Sequence, residues 1–253
     1  MRADKRVLPG DVAMWIFIIA ELLTFAAFFL LFAWLERGDA ATFASGRQQL
    51  HPFLGLLNTL ILLTGGSLAL AGVRAVENAP SGPGAGPLRG RQRLCRPGFF
   101  AAFLRGMPLR MAGSLQARPS AGRRVHGWTK ADSRQGRSSD ISIRMGRRFF
   151  MLAAATGVPF TVIKLWEFGV LAGQGLTLSS STFHFFYFFL CFIHLAHVWL
   201  GMAILVLACR RLATSPLSGD GVSSWQAAAS YWHMVDLAWL VLFPLLYLGG
   251  TRP

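Results

Sequence analysis

Five stretches of the chain are almost continuously apolar: Val12–Leu35, Phe53–Val76, Phe149–Leu171, Phe183–Cys209 and Trp225–Leu248. A helix that crosses lipid needs about 20 predominantly apolar residues, because the hydrocarbon offers no partner for an unpaired backbone group. Each run is long enough, and none carries a polar face wide enough to meet water as a soluble core helix would. Helix-start punctuation precedes two of them, Pro9-Gly10 before the first and His51-Pro52 before the second. The pattern predicts an all-α fold, a polytopic bundle of five transmembrane helices forming a single membrane domain over 1–253.

Between the second and third runs the pattern breaks. Residues 79–146 open on Pro80-Ser81-Gly82-Pro83-Gly84 and continue with recurrent Arg and neither helical nor strand periodicity. Charge follows the same division. The chain has 25 Lys+Arg against 11 Asp+Glu, a formal net charge of +14, although only 14% of its 253 residues are charged and 53% are hydrophobic. Residues 80–148 hold 15 of the basic and 2 of the acidic residues, which leaves 10 and 9 for the rest. A basic excess of this size suggests nucleic acid at first sight, but the segment has no recognition module, so no nucleic-acid partner is expected. Two readings of 79–146 remain. One is a disordered inner loop lying on anionic headgroups, with Phe99–Leu104 dipping into the interface. The other is a stretch read out of frame, and an intact mass equal to that of all 253 residues would exclude it.

Basic residues of short loops stay on the cytoplasmic side. Arg2, Lys5 and Arg6 precede span one, Arg74 and the basic segment join spans two and three, and Arg210 and Arg211 follow span four. On the opposite side Arg37 and Arg47 are offset by Glu36 and Asp39, and the 172–182 loop is uncharged. The expected topology is N-terminus in and C-terminus out, in the inner (plasma) membrane. No cleavable signal peptide is expected, since the first apolar run is too long and lacks a small-residue cleavage site. Cys95, Cys191 and Cys209 form no CxxC, and the last two lie about 27 Å apart along one helix, too far to bridge.

Ionisable groups inside a bilayer are costly, so each is a functional candidate. Span one carries Glu21; span three Lys164 and Glu167, three apart on one helix face; span four His184, His194 and His197, the last two sharing a face. Span five carries His233 and Asp236, again three apart, beside Tyr231 and Trp232. Glu21 lies about 14 Å and His233 about 12 Å from the inner ends of their helices, so they would meet if spans one and five are neighbours. Three chemistries fit: interhelical hydrogen bonds that lock the bundle, each about 1 kcal/mol; a proton relay through Glu, His and Asp; or axial ligation of a haem by His194 or His197 with His233. No nucleophile–base pair, nucleotide loop or dinucleotide fingerprint is present.

Several of these residues sit in recognisable motifs. Met14 to Phe29, around Glu21, resembles the Glu-bearing helix of subunit III of haem–copper oxidases. His51-Pro52-Phe53 through Leu57-Asn58-Thr59 is similar to the start of its next helix. Lys164-Leu165-Trp166-Glu167-Phe168 resembles its second intramembrane Glu region, and His194-Leu195-Ala196-His197-Val198 with Gly201 its H-x-x-H-V-x-x-G pattern. Tyr231 to Leu240, with Trp232, His233, Asp236 and Trp239, resembles its final helix and is the most specific stretch. The resemblance covers about 8–79 and 147–250, with five motifs in family order. Five helices resemble the short bacterial members, and Leu8-Pro9-Gly10-Asp11 is most similar to the branch associated with nitric oxide reductase. The long basic connection departs from the short one of the family.

The resemblance implies a subunit of an oxidoreductase complex (cytochrome-c oxidase type) with no catalytic residue, metal or cofactor of its own. Haem and copper would belong to the catalytic subunit I against which it packs, in aerobic respiratory electron transport. It implies bound phospholipid in a cleft between helix groups, and support for proton uptake and for durability of the catalytic site. Glu21, Glu167, His194, His197, His233 and Asp236 become the proton-linked polar interior; Asn58, Trp232 and Trp239 become lipid or helix contacts. The alternatives are an accessory membrane protein of nitric oxide reductase in denitrification, an autonomous proton-coupled transporter, and a bis-His membrane cytochrome.

Overall fold

The computed structural model describes residues 12–78, 130–214 and 219–249. The Leu8–Asp11 opening and the 79–129 part of the basic segment, with Cys95 and Phe99–Leu104, lie outside the described residues. Among those described every regular element is helical: α1 (Val12–Gly38), α2 (Ala40–Gln48), α3 (Pro52–Glu77), α4 (Lys130–Gly173), α5 (Thr182–Thr214) and α6 (Gly219–Phe243), which runs on into a π-helical turn at Pro244–Leu248. Five of these are long and apolar enough to cross a membrane.

Local chemistry sets the ends. Asp39 caps α2 by accepting from the Thr42 amide at 3.3 Å. Pro52 opens α3, where its missing N–H costs nothing. Ser181 accepts from the His184 amide at 3.2 Å and caps α5. After α4 the Leu176 amide bonds back to the Leu171 carbonyl and the Gly175 amide to that of Ala172, both at 3.0 Å. That closure needs a left-handed residue at its centre, and Gly175 supplies it at φ 77°.

Two elements depart from the sequence pattern. The third span is preceded by helix from Lys130, so residues 130–146 of the basic segment are helical rather than loop. Hydropathy marks only where a helix enters lipid, and Arg is a good helix former that continues it into the polar region. The short α2 has no apolar run and gave no signal; it is an interfacial helix whose Phe43 plugs the bundle.

Helices α3 and α4 make the most extensive contact, α5 packs on α4, and α6 lies against both α3 and α5. The core follows a seven-residue stripe on α6: Trp225, Trp232 and Trp239 are all 2% exposed or less, and Leu246 continues the stripe. In lipid, helices associate through close packing and not through exclusion of water, so small residues must admit such side chains. Gly65 of α3 and Gly201 of α5 do so for Trp232, and Gly46 of α2 does so for the Phe183 ring. Toward the end formed by α2 and the 174–181 turn, Phe32, Phe43, Phe183 and Phe186 stack edge to face with centroids 5.0–6.4 Å apart and fasten α1 and α2 to α5. The outer side of α1, with Ile16, Leu23, Leu30 and Trp34, is left uncovered by the described residues.

Candidate functional site

The polar residues of the spans sort into three groups, the first two joined by a buried aromatic hub. In the first, His197 of α5 faces Glu21 of α1, with Nε2 3.1 Å from Oε2. The His197 Nδ1 lies 2.8 Å from the Ile193 carbonyl oxygen. A carbonyl only accepts, so Nδ1 carries hydrogen and donates. One proton is then left for the Nε2–carboxyl contact. The pair is therefore either imidazolium with carboxylate or neutral imidazole with carboxylic acid, and both forms have the same net charge. Glu21 thus pairs with His197, and not with His233 as similar depth suggested. Rotation about α1 decides this, because Phe25, one turn further on, meets His197 and His194 at 5.2 and 6.5 Å.

In the second group, Lys164 and Glu167 of α4 are 1% and 2% exposed. The Lys164 ammonium donates to Glu167 Oε2 at 2.8 Å and to the Tyr247 hydroxyl, which in turn donates to Glu167. Tyr247 comes from the π-helical turn at the end of the last span. Pro244 has no N–H to give the preceding turn, and the wider turn closes through the Gly249 amide on the Pro244 carbonyl at 2.9 Å. Near the same end Arg47 pairs with Glu36 at 2.6 Å and donates to the Leu245 carbonyl at 3.0 Å, a cation at a helix C-terminus. Sequence periodicity placed Lys164 and Glu167 on one face but gave no sign of Tyr247. A proline inside the last apolar run was the available signal.

Trp239 is the hub. Its ring lies 4.7 Å from the Lys164 ammonium, 5.1 Å from the His194 ring and 5.0 Å from Phe160. Its indole N–H donates to Thr59 Oγ1 at 3.0 Å. His194 is fully buried among Phe25, Phe160 and Trp239, and neither ring nitrogen has a protein partner. Asn58 is equally buried with both amide atoms unpartnered, so Asn58, Trp232 and Trp239 all lie between helices rather than against lipid.

The third group is His233 and Asp236 of α6, with Nδ1 and Oδ2 3.9 Å apart. Asp236 is 7% exposed while the His233 side chain is 46% exposed on the outside of the bundle. The three histidines thus have separate surroundings: His197 has both nitrogens engaged, His194 is enclosed by rings, and His233 faces outward between α3 and α6. No two of them face each other across an open space as axial ligands of one haem would. His184 joins none of these groups. It bonds Ser181 Oγ at 2.7 Å and Gln49 Oε1 at 2.9 Å, tying α5 to the end of α2.

Residues 145–251, which hold Lys164, Glu167, His184, His194, His197, His233, Asp236, Trp239 and Tyr247 but not Glu21 or Asn58, match the family described as cytochrome c oxidase subunit III. The chain is similar to cytochrome c oxidase subunit 3 of Corynebacterium diphtheriae, 32% identical over 40% of this chain and 49% of that one. It is similar to the protein of the same name from Pisaster ochraceus, 30% identical over 44% of this chain and 43% of that one. A probable quinol oxidase subunit 3 of Staphylococcus saprophyticus is 24% identical over 40% of this chain and 51% of that one. The chain spans about half the length of these relatives. With five helices able to cross lipid, it is a multi-pass protein of the plasma membrane. Residues 145–251 are thus similar to subunit III of cytochrome c and quinol oxidases, the subunit III of haem–copper oxidases.

Proposed function

We propose that this chain is the non-redox subunit of a terminal cytochrome c or quinol oxidase, and that it stabilises the catalytic subunit and supports its proton uptake. The observation that carries this reading is the Glu21–His197 contact, an intramembrane carboxyl and imidazole holding one exchangeable proton between α1 and α5. Both side chains keep partial exposure, 26% and 17%, so the pair is open to a neighbouring subunit at the outside of the bundle. The uncovered outer side of α1 beside it is suited to a larger neighbour.

The basic ends support an N-inside orientation. Arg74 of α3, Arg147 and Arg148 of α4 and Arg210 of α5 share one end of the bundle, where Gln226 bonds Glu77 at 2.9 Å and Cys209 bonds the Arg147 carbonyl. Arg47, with Glu36, marks the other end.

Replacing Glu21 with glutamine removes the shared proton at nearly constant shape. In the purified complex, Glu21→Gln should leave the haem spectra of the catalytic subunit unchanged. Proton uptake should slow, or inactivation during turnover should quicken, by several-fold. Wild-type values for both in a complex that retains the chain would refute the role.

A further inference from the structure

The third polar group is built as a seat. Leu63 and Leu70 of α3 and Leu237 and Leu240 of α6 wall a groove of about 280 Å³, with His233 and Asp236 along it. Its floor is Gly66: a Cβ there would overlap the Asp236 Oδ2, so the bare α3 backbone is what lets the carboxyl sit between the helices. Asp236 Oδ1 is buried without a hydrogen-bond partner, and the half-exposed His233 ring has only the long 3.9 Å contact to Oδ2. Both residues lie deep. Asp236 is about 16 Å along the helix from Trp225, near the middle of a hydrocarbon core about 30 Å thick.

Depth decides what can fill the groove. Phospholipid headgroups stay at the interface, and acyl chains give neither a donor nor an acceptor. The walls do not stop at the groove: Leu56 and Leu60 of α3 and Val241 and Leu248 of α6 extend them as an exposed apolar strip. From Leu56 to Leu70 the strip runs about 21 Å. A small molecule needs only the groove, whereas a strip of that length with a polar centre matches a helix.

We propose that the α3/α6 groove seats a transmembrane helix of a partner subunit, which places a hydrogen-bond-donating side chain between His233 and Asp236. This rests on the reading of the chain as a subunit of a larger membrane complex, and it adds which face is used and what chemistry the partner presents. An Arg, Lys, Asn, Gln, Ser, Thr or Tyr on the facing helix donates to Asp236 Oδ2 beside the His233 ring, and the leucines on either side close around it.

The test uses the complete complex in its native membrane, with the photoreactive residue benzoylphenylalanine placed at Leu237 in the groove, at Leu23 on the outer side of α1 or at Val162 on the exposed side of α4. The probe at Leu237 should give an adduct with a polypeptide that co-purifies with this chain. Its cross-linked peptide should map to a membrane-spanning segment bearing a donor side chain at that level, and Val162 should give no such adduct. Asp236→Leu should lower the yield about fivefold, as loss of one interhelical hydrogen bond of about 1 kcal/mol would. Asp236→Asn keeps an acceptor oxygen at the same place and should retain the adduct, which separates lost docking from lost folding. An adduct of small mass, such as a quinone, an adduct with a second copy of this chain, or no adduct at Leu237 overturns the proposal. A partner captured at Leu23 but never at Leu237 overturns this surface while leaving the subunit reading intact. A purified complex without haem overturns that reading instead.

Discussion

Replacing Lys164 with methionine should destabilise the folded bundle by about 3–5 kcal/mol, because it leaves the Glu167 carboxylate buried without its cation. The double variant, with Lys164 and Glu167 both methionine, should recover stability relative to the single one, short of wild type by about 1–3 kcal/mol for a Tyr247 hydroxyl left without either partner. It removes both desolvated charges while keeping apolar volume in the gap beside Trp239. Tyr247→Phe should cost less, about 1–3 kcal/mol, since it removes one buried hydroxyl and leaves the ion pair intact. Unfolding of the purified chain in mixed micelles of dodecyl maltoside and SDS reads all three. A double variant as unstable as the single one would show that Lys164 acts through its packing on Trp239 and not through charge. The rescue therefore carries more information than the loss.

The same residues show how far the sequence reaches. The five spans were legible because lipid imposes a minimum apolar length that globular packing does not. Side chains on one helix were legible as pairs, since residues three apart share a face: Lys164 with Glu167, His194 with His197, His233 with Asp236. What periodicity lacks is the rotation of one helix against another. Glu21 and His233 have similar depth, yet Glu21 turns toward His197 because Phe25 packs on the α5 face. Tyr247 completes the Lys164–Glu167 pair only because the π-helical turn after Phe243 changes the direction of the last residues. Helix α2 and the residues from Lys130 onward were illegible for another reason: they lie outside the apolar runs, where hydropathy says nothing about helix.

The second large effect is expected at Trp232, where three helices meet. Its indole is fully buried, with Gly65 of α3 on one side and Gly201 of α5 on the other. A Cβ on Gly65 would come within 3.1 Å of the indole nitrogen and would overlap Thr156 Oγ1. Trp232→Ala should therefore cost about 3–5 kcal/mol through the void it leaves, and Gly65→Ala about 1–3 kcal/mol through overpacking. If the glycine exists to admit the indole, the two costs should not add. Adding Gly65→Ala to Trp232→Ala should cost clearly less than it does in the wild type, because half of the crowding has gone. Detergent unfolding of the four chains gives the coupling, and strict additivity would mean that Gly65 answers only to Thr156. The position also bears on the groove behind it. Gly65 and Gly66 are consecutive, one admitting Trp232 to the core and the other Asp236 to the outer face. A shift of α6 away from α3 that relieves Gly65→Ala must also open the seat of the carboxyl. Gly65→Ala is thus expected to weaken cross-linking from Leu237 as well as stability, although it touches neither His233 nor Asp236. Packing at the centre of the bundle and presentation of the polar pair to a partner are, on this geometry, set by the same approach of two helices.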